Sequence, residues 1–487
     1  MLFKWWRTRD EDYYFATRTV TGVLGLNFAL GAITGTLVEF GLVQAWPGTI
    51  FVIATFGFLP LTLELVAFAG EIVLLILFIV TLRRVKVPVS IGIMALYLVM
   101  AAFSGAVITT VNSWLNVPWG TQNLASNIYP FLPSYGPTVV DPLALLKLKA
   151  EFVRELLTSG APSMLIQDPK FASTIGLTLL DPSIAFQSSY ALASMLHNVS
   201  AGMIIGISFG LVGYGYRFFK TGKIKYLKII RAFLPVLLVL MVLQPIVFGD
   251  FMGKMVAVDQ PTKFALIENI NNTKTDPVIG FLGYGDPQHQ VTGFDSFRNA
   301  CQSLNGRTLG DLMAGTVRNF TTGRESSLSL SQLCFSDLAK AEARMAVVNA
   351  AFYAKITSGI VALVLLVALT SQTFTLGMLS RISDRVFSPF VRRKSVFLLS
   401  ILVLVSCAIA AGLGWFVREA GRKPWTVYGL LYPEELMTPV SMNPIVLALF
   451  TLAFVSMAII GLYGMYIVAT KPPRFVELLR KGAGIEE

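Results

Sequence analysis

The chain has 487 residues, of which 54% are hydrophobic and only 14% charged, and its mean hydropathy is +0.67. So much apolar surface excludes a soluble globule and points to an all-α polytopic membrane protein. A formal charge of +11 would suggest a nucleic-acid partner in a soluble chain; here the positions of lysine and arginine carry a topology signal, and no nucleic-acid partner is expected.

The first fifteen residues set Trp5, Trp6, Tyr13 and Tyr14 among charges, which suits an interfacial collar. No short apolar segment ends there at a small-residue cleavage site, so the first span reads as a retained helix. Runs of about 20 apolar residues give eight expected spans, at roughly 20–43, 49–82, 88–115, 184–215, 229–249, 345–378, 395–417 and 443–469. Lysine and arginine gather at alternate ends of these spans, in 4–18, 83–86, 217–228, 381–394 and 471–481, whereas the loop at 44–48 has neither. Both termini are therefore expected in the cytoplasm. Three parts follow: residues 1–249 with spans one to five, an extracytoplasmic loop at 250–343, and residues 344–487 with spans six to eight.

In the second span Glu64 and Glu71 are seven residues apart, hence on one helical face two turns apart. Carboxylates inside a span are costly, so a proton path or a ligand role is the expectation for them, and Pro60 one turn earlier is expected to bend the helix. The first long outside segment, 116–183, contains an amphipathic stretch with Asp141 as N-cap, Pro142 at the first helical position and Gly160 just past the end, which reads as a helix lying on the membrane surface. His197 then stands inside an apolar run, where an imidazole is expensive unless it serves as a ligand or proton carrier.

In the loop at 250–343, Lys263 and Glu268 are five residues apart and form either a substrate pair or a surface salt bridge. Cys301 and Cys334 are the only cysteines outside the spans; on an oxidising face they either close a disulfide or stay as two thiols. His289 reads as a solvated loop residue, and Asn271 and Asn319 fit the glycosylation triplet. Near the end of the seventh span, Arg418, Arg422 and Lys423 crowd a membrane exit between Trp415 and Trp425.

Taken together, GLNFALGAITGTLVEF (25–40), NSWLNVP (112–118), His197, GDFMG (249–253) with QPTKFALIE (260–268), and GWFVREAGRKPW (414–425) resemble subunit I of the cytochrome bd-type quinol oxidases. The resemblance implies a subunit of a prokaryotic cell-membrane complex that oxidises quinol at the outer face and reduces dioxygen in aerobic respiration. It implies His197 as an axial ligand of a haem b, Lys263 and Glu268 as the quinol-binding pair in a large extracytoplasmic quinol-type loop, Glu64 and Glu71 beside the high-spin haems, and Arg422 and Trp425 near the haems, with the basic side chains reaching haem propionates. The presence of haem d is left open.

Departures from the family pattern matter as much. The histidine of the family's first span is missing, Lys355 stands where the family has its second axial methionine, and Thr470 stands where it has a ligating glutamate. Lys355 is then either a substitute ligand or a snorkelling, paired lysine. Two readings follow: a quinol-oxidising subunit with at least one haem, or a haem-poor paralogue that scaffolds a complete subunit I. The expected partner is accordingly a complete subunit I paralogue or a subunit II, with membrane lipid around both.

Overall fold

The computed structural model describes residues 1–45, 58–120, 126, 128–136, 183–313, 327–374, 389–436 and 443–470. Helices dominate because a chain in hydrocarbon must satisfy its backbone polar groups within each segment. A short helix α1 (Leu2–Thr8) precedes α2 (Glu11–Ala45), followed by α3 (Phe58–Thr81), α4 (Val87–Asn116), α5 (Ser189–Thr221) and α6 (Ile224–Leu243). A π-helical turn at Gln244–Gly249 leads without a break into α7 (Asp250–Asp259). After the loop region come α13 (Met345–Thr373), α14 (Pro389–Ala420) and α16 (Pro444–Thr470), with α15 (Pro433–Leu436) between the last two.

Seven of these runs are long and apolar enough to cross a membrane among the described residues, from Leu59–Thr81 to Pro444–Gly464. The expected span at 20–43 lies within α2, and the collar before it is itself helical, broken only by a left-handed turn at Arg9. The fold is thus the all-α polytopic bundle expected, and the protein is a multi-pass membrane protein. The amphipathic stretch at 141–160, Asn319, and the basic residues of 381–385 and 471–481 lie outside the described residues.

One boundary differs from the expectation. The apolar run ends near residue 249, yet the helix continues as Ile224–Asp259. Asp250 accepts from the Lys254 ammonium at 2.7 Å one turn on, so the polar residues of GDFMGK are satisfied without leaving the helix. Pro60 is the third residue of the described α3, close to its start, and Gly222 ends α5 in the left-handed conformation (φ 65°) that a residue without Cβ adopts freely.

In the bundle α3 packs on α4, α4 on α5, α5 on α6 and α14, and α14 on α13, while α2 pairs with α16. At one end the bundle is closed by the residues after α7. These form α8 (Pro261–Glu268), α9 (Pro277–Tyr284), α10 (Phe294–Gln302), α11 (Leu309–Met313) and α12 (Leu330–Glu342), with a two-stranded antiparallel ribbon of β1 (Lys274–Thr275) and β2 (Gln290–Val291). Asp276 caps α9 by accepting the N–H groups of Val278 and Ile279, with Pro277 at the first helical position. A continuous core joins this closed end to the bundle through Trp114, Tyr135, Phe264, Phe297, Trp425 and Tyr428. Cys301 of α10 and Cys334 of α12 form a disulfide inside it. Asp337 is fully buried and accepts from the hydroxyls of Tyr129 and Tyr432, while His289 stacks on Tyr284 with ring centroids 3.8 Å apart.

Candidate functional site

His197 lies in α5, and the feature that meets it is the π turn between α6 and α7. Pro245 has no N–H to donate to the carbonyl four residues back, and the helix widens there instead. The widened turn brings Gln244 against α5. Its Nε2 lies 3.3 Å from His197 Nδ1 and donates to the His197 carbonyl at 3.1 Å, while Oε1 contacts the Ser200 hydroxyl. Gln244 thereby holds the imidazole at Nδ1, and the Phe248 backbone in the same π turn is a further hydrogen-bond partner of the ring. Lys355 from α13 and Arg418 from α14 both lie within electrostatic reach of it, and the Lys355 stem passes Gly414 of α14.

Next to His197 the closed end of the bundle gathers cations. Lys263, Arg418 and Arg422 are 2%, 7% and 4% exposed, a degree of burial that charged side chains almost never reach unpaired. Arg418 donates to Ser113 at 3.1 Å and to Ser194, and lies 5.3 Å over the Trp415 ring. Arg422 donates through Nη2 to Glu419 at 2.5 Å, and Glu419 also accepts from Asn112 at 3.2 Å. Donors are left over: Arg422 Nε and Nη1, Arg418 Nε and Trp425 Nε1 are buried without a hydrogen-bond partner. Burial lowers the pKa of Arg422, against the carboxylate of Glu419, which favours its charge.

Lys263 is directed into this cluster and away from Glu268. Five residues along a helix turn a side chain to a different face, so of the two alternatives the direct salt bridge does not form. Lys263 donates to Gln260 Oε1 at 3.1 Å, to the Arg418 carbonyl at 3.2 Å and to Asn116 Oδ1 at 3.5 Å. Its stem lies so close to Gly421 that a Cβ there would stand 2.8 Å from Lys263 Cγ. Burial, reinforced by Arg418, holds its pKa well below the usual 10.5. Glu268 instead sits half-buried at the rim and accepts from the Tyr353 hydroxyl at 2.8 Å. Its burial raises its pKa, and the Tyr353 hydrogen bond opposes that rise.

Glu64 and Glu71 form a separate pair on α3. Glu71 is buried and Glu64 half-buried, and Ser104 of α4 donates to Glu64 at 3.5 Å. The residue after Ser104, Gly105, packs against Val199 of α5, two positions beyond His197.

The spans and their charged residues were visible in the sequence, but Gln244, Ser194 and Tyr353 were not singled out there, and Ser113, Asn116 and Gln260 stood there only within the motifs NSWLNVP and QPTKFALIE. The signal for Asn116 was its spacing of four from Asn112 at the end of a span, with Asn116 Nδ2 donating to the Asn112 carbonyl at 3.0 Å. The signal for Gln244 was an amide followed by proline inside an apolar run.

These residues fit a haem in part. An imidazole with one nitrogen held by an amide, beside buried guanidinium and indole N–H groups that lack acceptors, suits an iron ligand flanked by carboxylate-bearing propionates. Among the described residues no three His, Cys, Asp or Glu side chains come together as a metal-holding group. The chain is similar in fold to a solved structure described as the structure of bd oxidase from Geobacillus thermodenitrificans, with TM-score 0.65 and 18% identity over 96% of this chain and 90% of that one. No curated protein matches it. The sequence profile described as cytochrome bd terminal oxidase subunit I matches residues 1–473, so the chain belongs to that family.

Proposed function

We propose that this chain is a subunit of a quinol:oxygen oxidoreductase that takes quinol at its closed, outer end, with both termini on the cytoplasmic side. The observation that carries the reading is the set of unsatisfied buried donors on Arg418, whose charge is felt at His197, and on Arg422 and Trp425 beyond it. Buried donors without acceptors are costly, and an anionic cofactor would supply the acceptors.

A haem b would be held by His197 and by the guanidinium groups of Arg418 and Arg422, and when bound it would supply one-electron storage and transfer. What the chain does itself follows from its own groups. Glu268, at the rim and with a raised pKa, accepts a proton from the quinol hydroxyl, and Tyr353 orients the carboxylate through its hydrogen bond. Lys263 acts from beneath: it ties α8 to the ends of α4 and α14 and sets the electrostatics under the quinol. Gln244 fixes the orientation of the His197 ring. Glu64, Ser104 and Glu71 form a polar line through the apolar α3–α4 layer that suits proton passage.

One observation favours the second reading, a haem-poor paralogue that scaffolds a complete subunit I. Lys355 lies near His197 at the position where the family resemblance expects a methionine, so the thioether ligand is replaced. Anaerobic addition of a short-chain quinol to the purified complex separates the two. Reduction of a b-type absorbance belonging to this chain, slowed at least about tenfold in Glu268→Gln, supports the oxidase reading. Absence of any quinol-reducible absorbance on this chain supports the scaffold.

A further inference from the structure

At the opposite end of the bundle from the buried cations lies an open cavity of about 490 Å³ lined by Trp5, Trp6, Arg9, Arg83, Lys86 and Pro88. Three elements meet there: α1, the turn joining α3 to α4, and the first turn of α4. Its size is that of an ordinary small-molecule site.

The backbone singles this cavity out. Among the described residues only Arg9 (φ 54°), Arg83 (φ 71°) and Asn269 (φ 53°) are non-glycine residues with positive φ. Two of the three line the one cavity. Arg9 ends α1, its N–H donating to the Trp5 carbonyl at 2.8 Å, at a position where glycine or asparagine would be unstrained. Left-handed backbone at a long side chain must be offset by its surroundings, and such residues gather where a ligand is held.

Charge and shape indicate which ligand. The carboxylates nearby are engaged: Glu11 pairs with Arg83, Asp10 with Lys228, and Asp12 lies 4.0 Å from Lys225. Arg83 also lies 3.9 Å over the Tyr14 ring. Neither Arg9 nor Lys86 has an ion-pair partner among the described residues, and both side chains are exposed. Lys86 caps α4, so the positive end of a 30-residue helix adds to them. Beside the cations an apolar shelf is made by Phe3 against the lining Trp6, ring centroids 5.8 Å apart, and by Val89 next to the lining Pro88; the three are 56%, 41% and 50% exposed. Cations with indoles above apolar surface, at the end of a membrane bundle, match an amphiphile with an anionic head.

We propose that this cavity seats the headgroup phosphate of an anionic phospholipid, with its acyl chains along Phe3, Trp6 and Val89. A free phosphate shares the headgroup chemistry but leaves the apolar shelf without a use. The site is independent of haem and quinol.

Native mass spectrometry of the full chain in detergent, titrated with dioleoylphosphatidylglycerol or with zwitterionic dioleoylphosphatidylcholine, tests this. The first phosphatidylglycerol is expected to bind roughly tenfold more tightly than phosphatidylcholine, and Arg9→Gln with Lys86→Gln is expected to remove that preference. Lys220→Gln with Lys223→Gln, near the same face but outside the cavity lining, should leave it unchanged. Because Arg9 and Lys86 are exposed, the variants keep their fold, and Lys86→Glu alone should weaken binding more than Lys86→Gln. Equal affinity for the two lipids, or full phosphatidylglycerol affinity in the double variant, would overturn the proposal. Displacement of the bound lipid by millimolar inorganic phosphate would assign the site to free phosphate and overturn the lipid assignment.

Discussion

The two ends of this bundle both carry clustered cations, and they handle them in opposite ways. At the N-terminal end Arg83 and Glu11 are each about half exposed, with 47% and 53% of their side-chain surface open, so water does most of the solvation. At the closed end Lys263, Arg418 and Arg422 are buried, Glu419 is the carboxylate Arg422 pairs with, and several N–H groups have no acceptor. The first arrangement is what a membrane protein uses to set its orientation and meet lipid headgroups. The second is stable only if the surrounding fold or a bound anion offsets the desolvation of the charges. Cationic clusters in a membrane protein are therefore told apart by burial and by leftover donors, and a count of lysine and arginine does not distinguish them.

The largest expected effect concerns what holds the closed end together. Cys301→Ser with Cys334→Ser opens a loop with a sequence separation of 33, and loss of such a cross-link costs about 3–4 kcal/mol. Limited proteolysis of the purified chain should then cut within 250–343 many times faster than in the wild type, with the bundle left intact.

Glu268→Gln should lower quinol oxidation about a hundredfold at neutral pH, since the amide cannot take a proton. In the wild type the rate should fall as the pH drops through the Glu268 pKa, which burial places above the usual 4.5. A profile whose acid limb is unchanged in Glu268→Gln would remove Glu268 from the proton step.

The contrast between the ends is tested directly by two matched substitutions. Glu419→Gln leaves buried Arg422 without its carboxylate and should lower thermal stability by about 2 kcal/mol, whereas Glu11→Gln at the exposed Arg83 pair should cost within about 1 kcal/mol. Equal losses would erase the distinction drawn here.

A smaller effect follows from Lys263. Its folded pKa lies well below 10.5, so between that value and 10.5 the unfolded chain binds more protons than the folded one, and stability rises with pH across this window. The thermal midpoint of the wild type, measured against Lys263→Met, should rise as pH increases from neutral toward 10; a flat difference would mean that Lys263 titrates normally.

Much of the fold was legible in the sequence because spanning helices need long apolar runs. The carboxyl-bearing α3 and the histidine in α5 stood out because ionisable groups in such runs are expensive. The cysteine pair was legible as a candidate because no other cysteine lies outside the spans, although its closure depends on geometry that spacing does not give. The surroundings of Lys263 were not legible: Asn116, Gln260 and the Arg418 carbonyl come from three separate elements, and nothing local in QPTKFALIE marks one face as buried. The same holds for Gln244, whose contact with His197 depends on a π turn. The continuation of the helix through GDFMGK was hidden because an i,i+4 ion pair does not register as hydropathy.

The central claim is that the buried cations and His197 form one cofactor pocket. The most direct measurement is the haem-to-chain ratio by pyridine haemochrome, with the reduced-minus-oxidised spectrum, for the purified wild type and His197→Ala. The account predicts about one low-spin haem b attributable to His197, lost in the variant while the chain stays folded. A wild-type chain without haem, with a spectrum that the substitution does not change, would contradict it.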